Sequence, residues 1–195
     1  MLNGLVIGLG FISDSQLLKA KRINFQFCFA CGPAINLTKN LKIKKRILFL
    51  SEARLAGNKN NFWDKISAIR NEKQIYNQKA SELIDYTIPN EVWVFNNKSL
   101  LSKKEVYRNI KEKGFKGLVK IYTIRSLIFD IISLLGFHAL FIDNQKISII
   151  DMILSFLLNK KIKRFGLKIP SSGVISILAC LKKTNLVYTL GISLD

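Results

Sequence analysis

The chain of 195 residues is long enough for one domain, and 49% of its residues are hydrophobic, so it can bury a sizeable core. This composition indicates a globular protein rather than a disordered chain. The formal net charge of +18 is typical of a protein with an anionic partner, such as nucleic acid, an acidic membrane surface or a phosphorylated substrate. Because the lysines are spread along the chain, a solvated basic surface with no dedicated partner is an equal alternative.

The amino-terminal half predicts four strands, each a short apolar run. The first, Leu2 to Gly8, ends in the glycine turn "GLG", and "SDSQLLKAK" after it has capping residues ahead of a helical pattern. "INFQFCFACG" predicts the second strand, Arg46 to Leu50 the third and "NEVWVFNN" the fourth. The polar stretch from Asn58 to Ile84 predicts helix and loop with a solvated face.

The carboxyl-terminal half continues this alternation of helices and strands. "SKKEVYRNIKEKGF" predicts an amphipathic helix, and an apolar helix from about Thr123, a strand near "HALFI" and a buried helix at "ISIIDMILSFLL" follow. The last unit is a helix from Val174 to Lys183 and a strand from Leu186 to Leu190. Strands separated by helices predict an α/β fold with a Rossmann-like, mostly parallel sheet and helices on both faces. We expect one domain over 1–195.

The apolar segments favour a cytoplasmic location. "MLNGLVIGLGFISDS" lacks the basic n-region of a secretory signal. The most apolar stretch, Ser126 to Ile142, is interrupted by Asp130, Gly136 and His138, and is shorter than the roughly 20 residues that a spanning helix needs. Peripheral attachment at the inner face of the membrane stays open.

Three cysteines do not form an even disulfide framework, so a reducing compartment is expected. Cys28 and Cys31 form a C-x-x-C, but only a lone Cys180 and a lone His138 could complete a metal site. In a strand, two residues three apart point to opposite faces, so we interpret the pair as core residues and expect no metal.

The turns after the strands carry the candidate binding chemistry, because ligands of parallel sheets bind at the carboxyl ends of the strands. "GLGFIS" is either a plain tight turn or a turn that lets a phosphate approach the backbone. In "PSSG", Pro170 favours an extended approach, the hydroxyls of Ser171 and Ser172 can cap a helix, and Gly173 leaves the helix start open. This turn is an anion cradle or only an N-cap.

Several of these segments resemble bacterial sialyltransferases of the glycosyltransferase family 42 type. "IPSSGVISILACLKKTNLVYTLGI" is similar to the family segment in which a hydroxyl-Ser-Gly turn opens an apolar helix that leads into a strand ending in Gly-Ile. "GLGFIS" resembles the family's Gly-x-Gly-x-Ser turn, "FACGPA" its Phe-Arg-Cys-Asn stretch, and "KKRILFLSEARL" its third-strand segment. The resemblance covers residues 4–55 and 164–193.

The resemblance implies a GT-A-like sialyltransferase fold and transfer of sialic acid, or a related sugar, from a CMP-activated donor to a glycan acceptor. It implies no metal and no cofactor other than the donor CMP-sialic acid, and a role in bacterial cell-surface glycan assembly such as lipooligosaccharide biosynthesis. The residues that the resemblance assigns to the nucleotide sugar are Gly8, Gly10, Ser13, Gly32, Ser51, Ser171, Ser172 and Gly173.

The chain also departs from the family pattern. Leu9, Gly32 and Ser51 stand where the family has Asn, and Ser193 stands where it has Asp. The family's general base is a His beyond the last aligned strand, and His138 precedes the Ser-Ser-Gly turn, so the catalytic residue is unknown. We expect a domain that lacks the carboxyl-terminal part of the family fold, as a fragment or as a relative with altered or lost activity.

Three functional hypotheses therefore follow from the sequence. The first is a sialyltransferase, and the second is a noncatalytic, Rossmann-like accessory module for glycans. The third is a basic nucleic-acid-binding protein, for which charge is the sole support. The acceptor, the linkage and the oligomeric state do not follow from the sequence.

Overall fold

The computed structural model describes residues 2–52, 55, 80–96, 101–112, 114–135, 157–158 and 171–192. Within them the strands are β1 (Asn3–Ile7), β2 (Phe25–Cys31), β3 (Ile43–Ser51), β4 (Glu91–Asn96), β5 (Leu118–Thr123) and β6 (Leu186–Leu190). The α-helices are α1 (Asp14–Lys21), α2 (Ala80–Thr87), α3 (Lys103–Lys111), α4 (Ile124–Leu135) and α5 (Ser172–Leu181), and a 3₁₀ helix spans Gly32–Asn40.

The six described strands form one sheet in the order β5-β4-β3-β2-β1-β6, and each neighbouring pair is parallel. The predicted α/β fold with a parallel sheet is confirmed. Strands of this kind are covered on both faces, which explains why β3 and β4 are near-continuous apolar runs. All six residues of β4 are buried, as are the four central-to-late residues of β3, Ile47 to Leu50.

Helices cover both faces of the sheet and enclose two apolar clusters. On the first face, α1, the 3₁₀ helix, α2 and α3 bury side chains such as Ala20, Ile35, Leu83 and Ile110 against the sheet. On the second face, α4 and α5 bury the residues Ile124, Leu127, Ile128, Ile175, Leu178, Ala179 and Cys180. Connections between parallel strands are right-handed, so the connecting helices move to the other face of the sheet when the chain reverses its direction along the sheet. The chain reverses in this way after β5.

The helix starts follow from local sequence. Ser13 caps α1, and Ser102 caps α3, each in a capping box with the residue three positions on, Gln16 or Glu105. Ser171 caps α5 by accepting a hydrogen bond from the Val174 amide.

The differences from the predicted elements have physical reasons. Strand β5 was not predicted, because Lys120 interrupts its apolar run and α4 begins at Ile124 without an intervening turn residue. The 3₁₀ helix after β2 was not predicted either. Helix α5 begins two residues earlier than expected. The predicted strand near "HALFI", with His138, lies outside the described residues, and of the predicted helix "ISIIDMILSFLL" only Leu157 and Leu158 are described, both helical.

Candidate functional site at the carboxyl edge of the sheet

The strand order reverses once among the described strands, between β1 and β6. From β1 the chain adds β2 to β5 successively on one side, and then returns to place β6 on the other side of β1. In open α/β sheets the crevice at such a reversal, outside the carboxyl ends of the strands, is the usual ligand site. The turn after β1 and the residues after β6 therefore border the candidate site.

The glycine turn after β1 packs directly against the end of β6. A Cβ atom added to Gly8 would lie 2.3 Å from the carbonyl oxygen of Gly191, and one added to Gly10 would lie 2.9 Å from the same atom. Gly191 has a φ of +59°, in the left-handed region that favours glycine. These glycines therefore permit a close approach between two turns of the chain itself.

The backbone amides of this turn are already engaged. Gly8 N–H donates to the Leu190 carbonyl at 2.8 Å, and Gly10 N–H donates to the Gly191 carbonyl at 2.7 Å. These two amides have one proton each, so they are not available to a phosphate while the bonds are intact. Gly8 and Gly10 can shape the crevice, but they do not supply its hydrogen-bond donors in this structure.

Ser13 lies at the start of α1, beyond the glycine turn. Its hydroxyl accepts a hydrogen bond from Gln16 N–H at 3.3 Å, and its own N–H donates to the Gln16 side chain at 2.9 Å. Phe11, between the glycine turn and Ser13, is 90% exposed. The local geometry of Ser13 is thus that of a helix cap.

The amino terminus of α5 meets the same crevice. A Cβ atom on Gly173 would lie 3.1 Å from Cγ2 of Ile192, so the helix start borders the residue after Gly191. The first amides of an α-helix have no intrahelical acceptor. Ser171 takes the amides of Val174 and Ile175 with its hydroxyl and its carbonyl.

Ser171 caps the third and fourth amides at the start of α5, and within the described residues the first two amides, those of Ser172 and Gly173, have no hydrogen-bond acceptor. The first turn of α5 carries no acidic side chain, so the positive end of the helix dipole is not offset locally. Within the described residues, the start of α5 is therefore one element of this edge with N–H groups available to an anion.

The remaining predicted site residues lie farther along the same edge. Gly32 directly follows β2, has a φ of +54° and opens the 3₁₀ helix. Ser51 is the last residue of β3 and pairs with Phe95 of β4. Neighbouring strands are about 4.8 Å apart, so Ser51 is roughly 10 Å from the β1 end, two strands away.

The thiol of Cys31 connects the end of β2 to α5. It lies 3.4 Å from the Ser176 hydroxyl, and burial, partly offset by this contact, raises its pKa to about 11. Cys28 packs in the apolar cluster of the first face, and burial raises its thiol pKa as well. The two cysteines do lie on opposite faces, and neither is a ready thiolate nucleophile.

The structure thus brings Gly8, Gly10 and Gly173 together around Gly191 and Ile192, and it places the other predicted residues at the same edge. Gly191 was not among the predicted site residues. The signal for it was present, since "GISLD" follows a strand and a glycine after a strand often marks a required backbone conformation.

Comparisons of the chain with protein-family models, with curated proteins and with solved structures gave no match. In the part of the chain that the structure describes, no group of three or more His, Cys, Asp or Glu side chains could hold a metal ion. None of the described helices is long and apolar enough to cross a membrane.

Proposed function

We propose that this chain binds a CMP-activated sugar at the carboxyl edge of its sheet, as the donor site of a sialyltransferase-type glycosyltransferase. Sialic acid or a related sugar would pass from the donor to a glycan acceptor of the cell surface. One observation carries the proposal: the "GLG" turn and the "SSG" helix start, two segments that resemble the sialyltransferases, both border Gly191 and Ile192 at the strand-order reversal.

The backbone N–H groups at the start of α5 suggest how such a site would work. The start of α5 offers the amides of Ser172 and Gly173 to a phosphate, and the helix dipole favours negative charge there. During sugar transfer the leaving CMP gains negative charge on its phosphate, which the same amides would stabilise. The glycine turn after β1 would bound the crevice through its shape, since its amides are engaged with β6.

A second candidate is a noncatalytic module that uses the same crevice. The observation in its favour is that the Gly8 and Gly10 amides donate to the Leu190 and Gly191 carbonyls, so the glycine turn offers neither of these two amides to a phosphate. This candidate predicts nucleotide binding without turnover. Nucleic-acid binding rests on net charge alone and has no such geometric support.

The test is calorimetric titration with CMP and, separately, with AMP at equal concentration and moderate salt. A CMP site predicts saturable binding with a preference for CMP. Equal, weak binding of both nucleotides that fades with added salt would contradict the proposal, because the general positive charge would then account for it. Release of CMP from CMP-sialic acid in the presence of glycan acceptors would separate the transferase from the noncatalytic module.

The variant Ser172→Asp locates the site. An aspartate in the first turn suits the helix dipole, so α5 should remain folded, but its charge would repel the phosphate. We expect CMP affinity to fall by at least about tenfold, which corresponds to about 1.4 kcal/mol. Ser102→Asp adds the same charge at the start of α3, three strands away from β1, and should leave CMP binding unchanged. Equal CMP affinity in Ser172→Asp and the unmodified chain would place any nucleotide elsewhere.

A further inference from the structure

A second charged site lies on the α4/α5 face of the sheet, toward the amino ends of the strands. Two lysines lie over the buried ring of Trp93 there, and two more pair with the carboxylates of Glu91 and Asp130 on the same face. We call this the lysine cluster, and its members are Lys45, Lys120, Lys182 and Lys183.

Two of the four lysines have carboxylate partners. Lys45 forms an ion pair with Glu91, which is 3% exposed and also accepts a hydrogen bond from the Trp93 indole N–H at 2.6 Å. Lys182 Nζ lies 2.7 Å from Oδ1 of Asp130, a fully buried carboxylate whose other oxygen accepts from Tyr122. These two carboxylates are therefore already occupied.

The other two lysines converge on one aromatic ring. Lys120 Nζ lies 4.2 Å from the centroid of the Trp93 ring, and Lys183 Nζ lies 5.6 Å from the same centroid. Lys183 Nζ is also 5.3 Å from the centroid of Phe27. Within the described part of the chain, neither Lys120 nor Lys183 has a carboxylate at ion-pair distance.

The cluster therefore has an excess of positive charge. Among the described residues, four lysines accompany two carboxylates, and the ammonium groups of Lys120 and Lys183 have no carboxylate within ion-pair distance. Partial burial lowers the pKa of Lys120, and repulsion from Lys183 and Lys182 lowers it further, against the opposing effect of Glu91 and Asp130. Cation–π contact holds the two ammonium groups near each other, but it does not neutralise them.

Stabilisation of the α5 carboxyl end explains only part of this arrangement. Lys182 and Lys183 follow the last turn of α5, where cations interact favourably with the helix dipole. Lys120 belongs to β5, at the register position opposite Trp93, and no helix end accounts for its position over the ring. A ligand with two negative charges would complement the excess.

We propose that Lys120 and Lys183, whose ammonium groups lie over the Trp93 ring, together bind a phosphate group. The group could belong to free phosphate, a phosphomonoester or a lipid headgroup, since each presents the same oxygen acceptors to two ammonium groups. This site lies toward the opposite ends of the strands from the α5 amino terminus, and it does not depend on the proposed donor site.

The test is a calorimetric titration of the full chain with inorganic phosphate at constant ionic strength. We expect saturable binding that the double variant Lys120→Gln/Lys183→Gln weakens by about tenfold or more, because both charge-assisted contacts are lost. The matched control, Lys19→Gln/Lys21→Gln, removes the same charge from exposed positions in the last turn of α1 and should bind phosphate as the unmodified chain does. Lys120→Arg/Lys183→Arg should retain binding.

A second measurement follows the Lys120 side chain by NMR during a pH titration. A bound phosphate favours the charged ammonium, so the pKa of Lys120 should rise when phosphate is present. The charged groups that act on this ammonium are Lys182, Lys183, Glu91 and Asp130, and the two carboxylates are in turn bonded to Lys45 and Tyr122. No change in the Lys120 titration would overturn the proposal, as would equal phosphate affinity in the glutamine double variant and the unmodified chain.

Vesicles identify the source of the phosphate group. The probes are phosphatidylcholine vesicles with and without phosphatidic acid, sedimented with the same variants. Recruitment by phosphatidic acid that depends on Lys120 and Lys183 would assign a lipid headgroup, whereas tight binding of free phosphate without recruitment would assign a soluble ligand. Equal loss of binding in the control Lys19→Gln/Lys21→Gln would show that general charge is responsible, and would overturn the proposal.

Discussion

Replacing Gly8 by alanine should destabilise the fold by separating β1 from β6. The added methyl carbon would lie 2.3 Å from the Gly191 carbonyl oxygen, whereas ordinary contact begins at 3.4 Å, so these atoms must move apart by about 1.1 Å. The obstacle is backbone, which cannot rotate away as a side chain can. The shift would strain the hydrogen bonds from Gly8 N–H to Leu190 and from Gly10 N–H to Gly191.

The expected cost follows from these contacts. Two hydrogen bonds contribute about 0.5–1.5 kcal/mol each, and forced overpacking costs about 1–3 kcal/mol. We therefore expect Gly8→Ala to lower the free energy of unfolding by about 2–6 kcal/mol, which lowers the urea midpoint by about 1–3 M for an m-value of about 2 kcal/mol/M. Urea denaturation followed by circular dichroism measures both the midpoint and the free energy of unfolding.

Gly173→Ala is the matched control in the same region. Its added methyl would meet only the Ile192 side chain, at 3.1 Å, and alanine suits a helix better than glycine by about 0.5–1 kcal/mol. We expect the free energy of unfolding of Gly173→Ala to lie within about 0.5 kcal/mol of that of the unmodified chain. A Gly8→Ala midpoint equal to that of the unmodified chain would refute the close packing of the two turns.

Two further predictions concern buried groups. The three cysteines are free and buried, and burial raises the pKa of Cys31 and Cys180 to about 11. A thiol reagent near neutral pH should therefore label the folded chain slowly, and it should label all three thiols after denaturation. Fast labelling of the folded chain would contradict the burial of the cysteines. Burial raises the pKa of Glu91, but its hydrogen bonds with Lys45 and Trp93 outweigh this and hold the pKa below its usual value. Its ion pair therefore stabilises the fold above the unfolded-state pKa and is lost as pH falls through the folded-state pKa, so Glu91→Gln should cost about 1 kcal/mol at about pH 6 and less at about pH 3. Urea unfolding at both pH values measures this, and a difference that does not change with pH would argue against the pair.

Much of the fold could be predicted from the sequence, because buried parallel strands leave a local signal. β1, β2, β4 and β6 are apolar runs bounded by turn or capping residues, so their positions follow from composition over a few residues. β5 could not be found in this way, because the charged residue Lys120 interrupts its apolar run and the strand passes directly into α4. Strand order and the reversal between β1 and β6 depend on contacts between distant segments.

The candidate site could be predicted only as a set of turns at one edge. The "GLG" and "SSG" turns were identified from glycine and hydroxyl residues at helix starts, and the structure does bring them near each other. Their separate roles could not be predicted. The N–H groups of Gly8 and Gly10 donate to the carbonyls of Leu190 and Gly191, more than half the chain away, so no local pattern distinguishes a phosphate turn from a packing turn. The lysine cluster was missed for the same reason, because its members come from β3, β5 and the end of α5.

The most direct test of the proposed donor site is an amide NMR titration of the folded chain with CMP. The account predicts that the largest shift changes occur at Ser172 and Gly173, whose amides face the crevice at the start of α5. Gly8 and Gly10 should change less, because their amides remain bonded to Leu190 and Gly191. Changes confined to Lys120, Lys183 and their neighbours, with none at the start of α5, would contradict it.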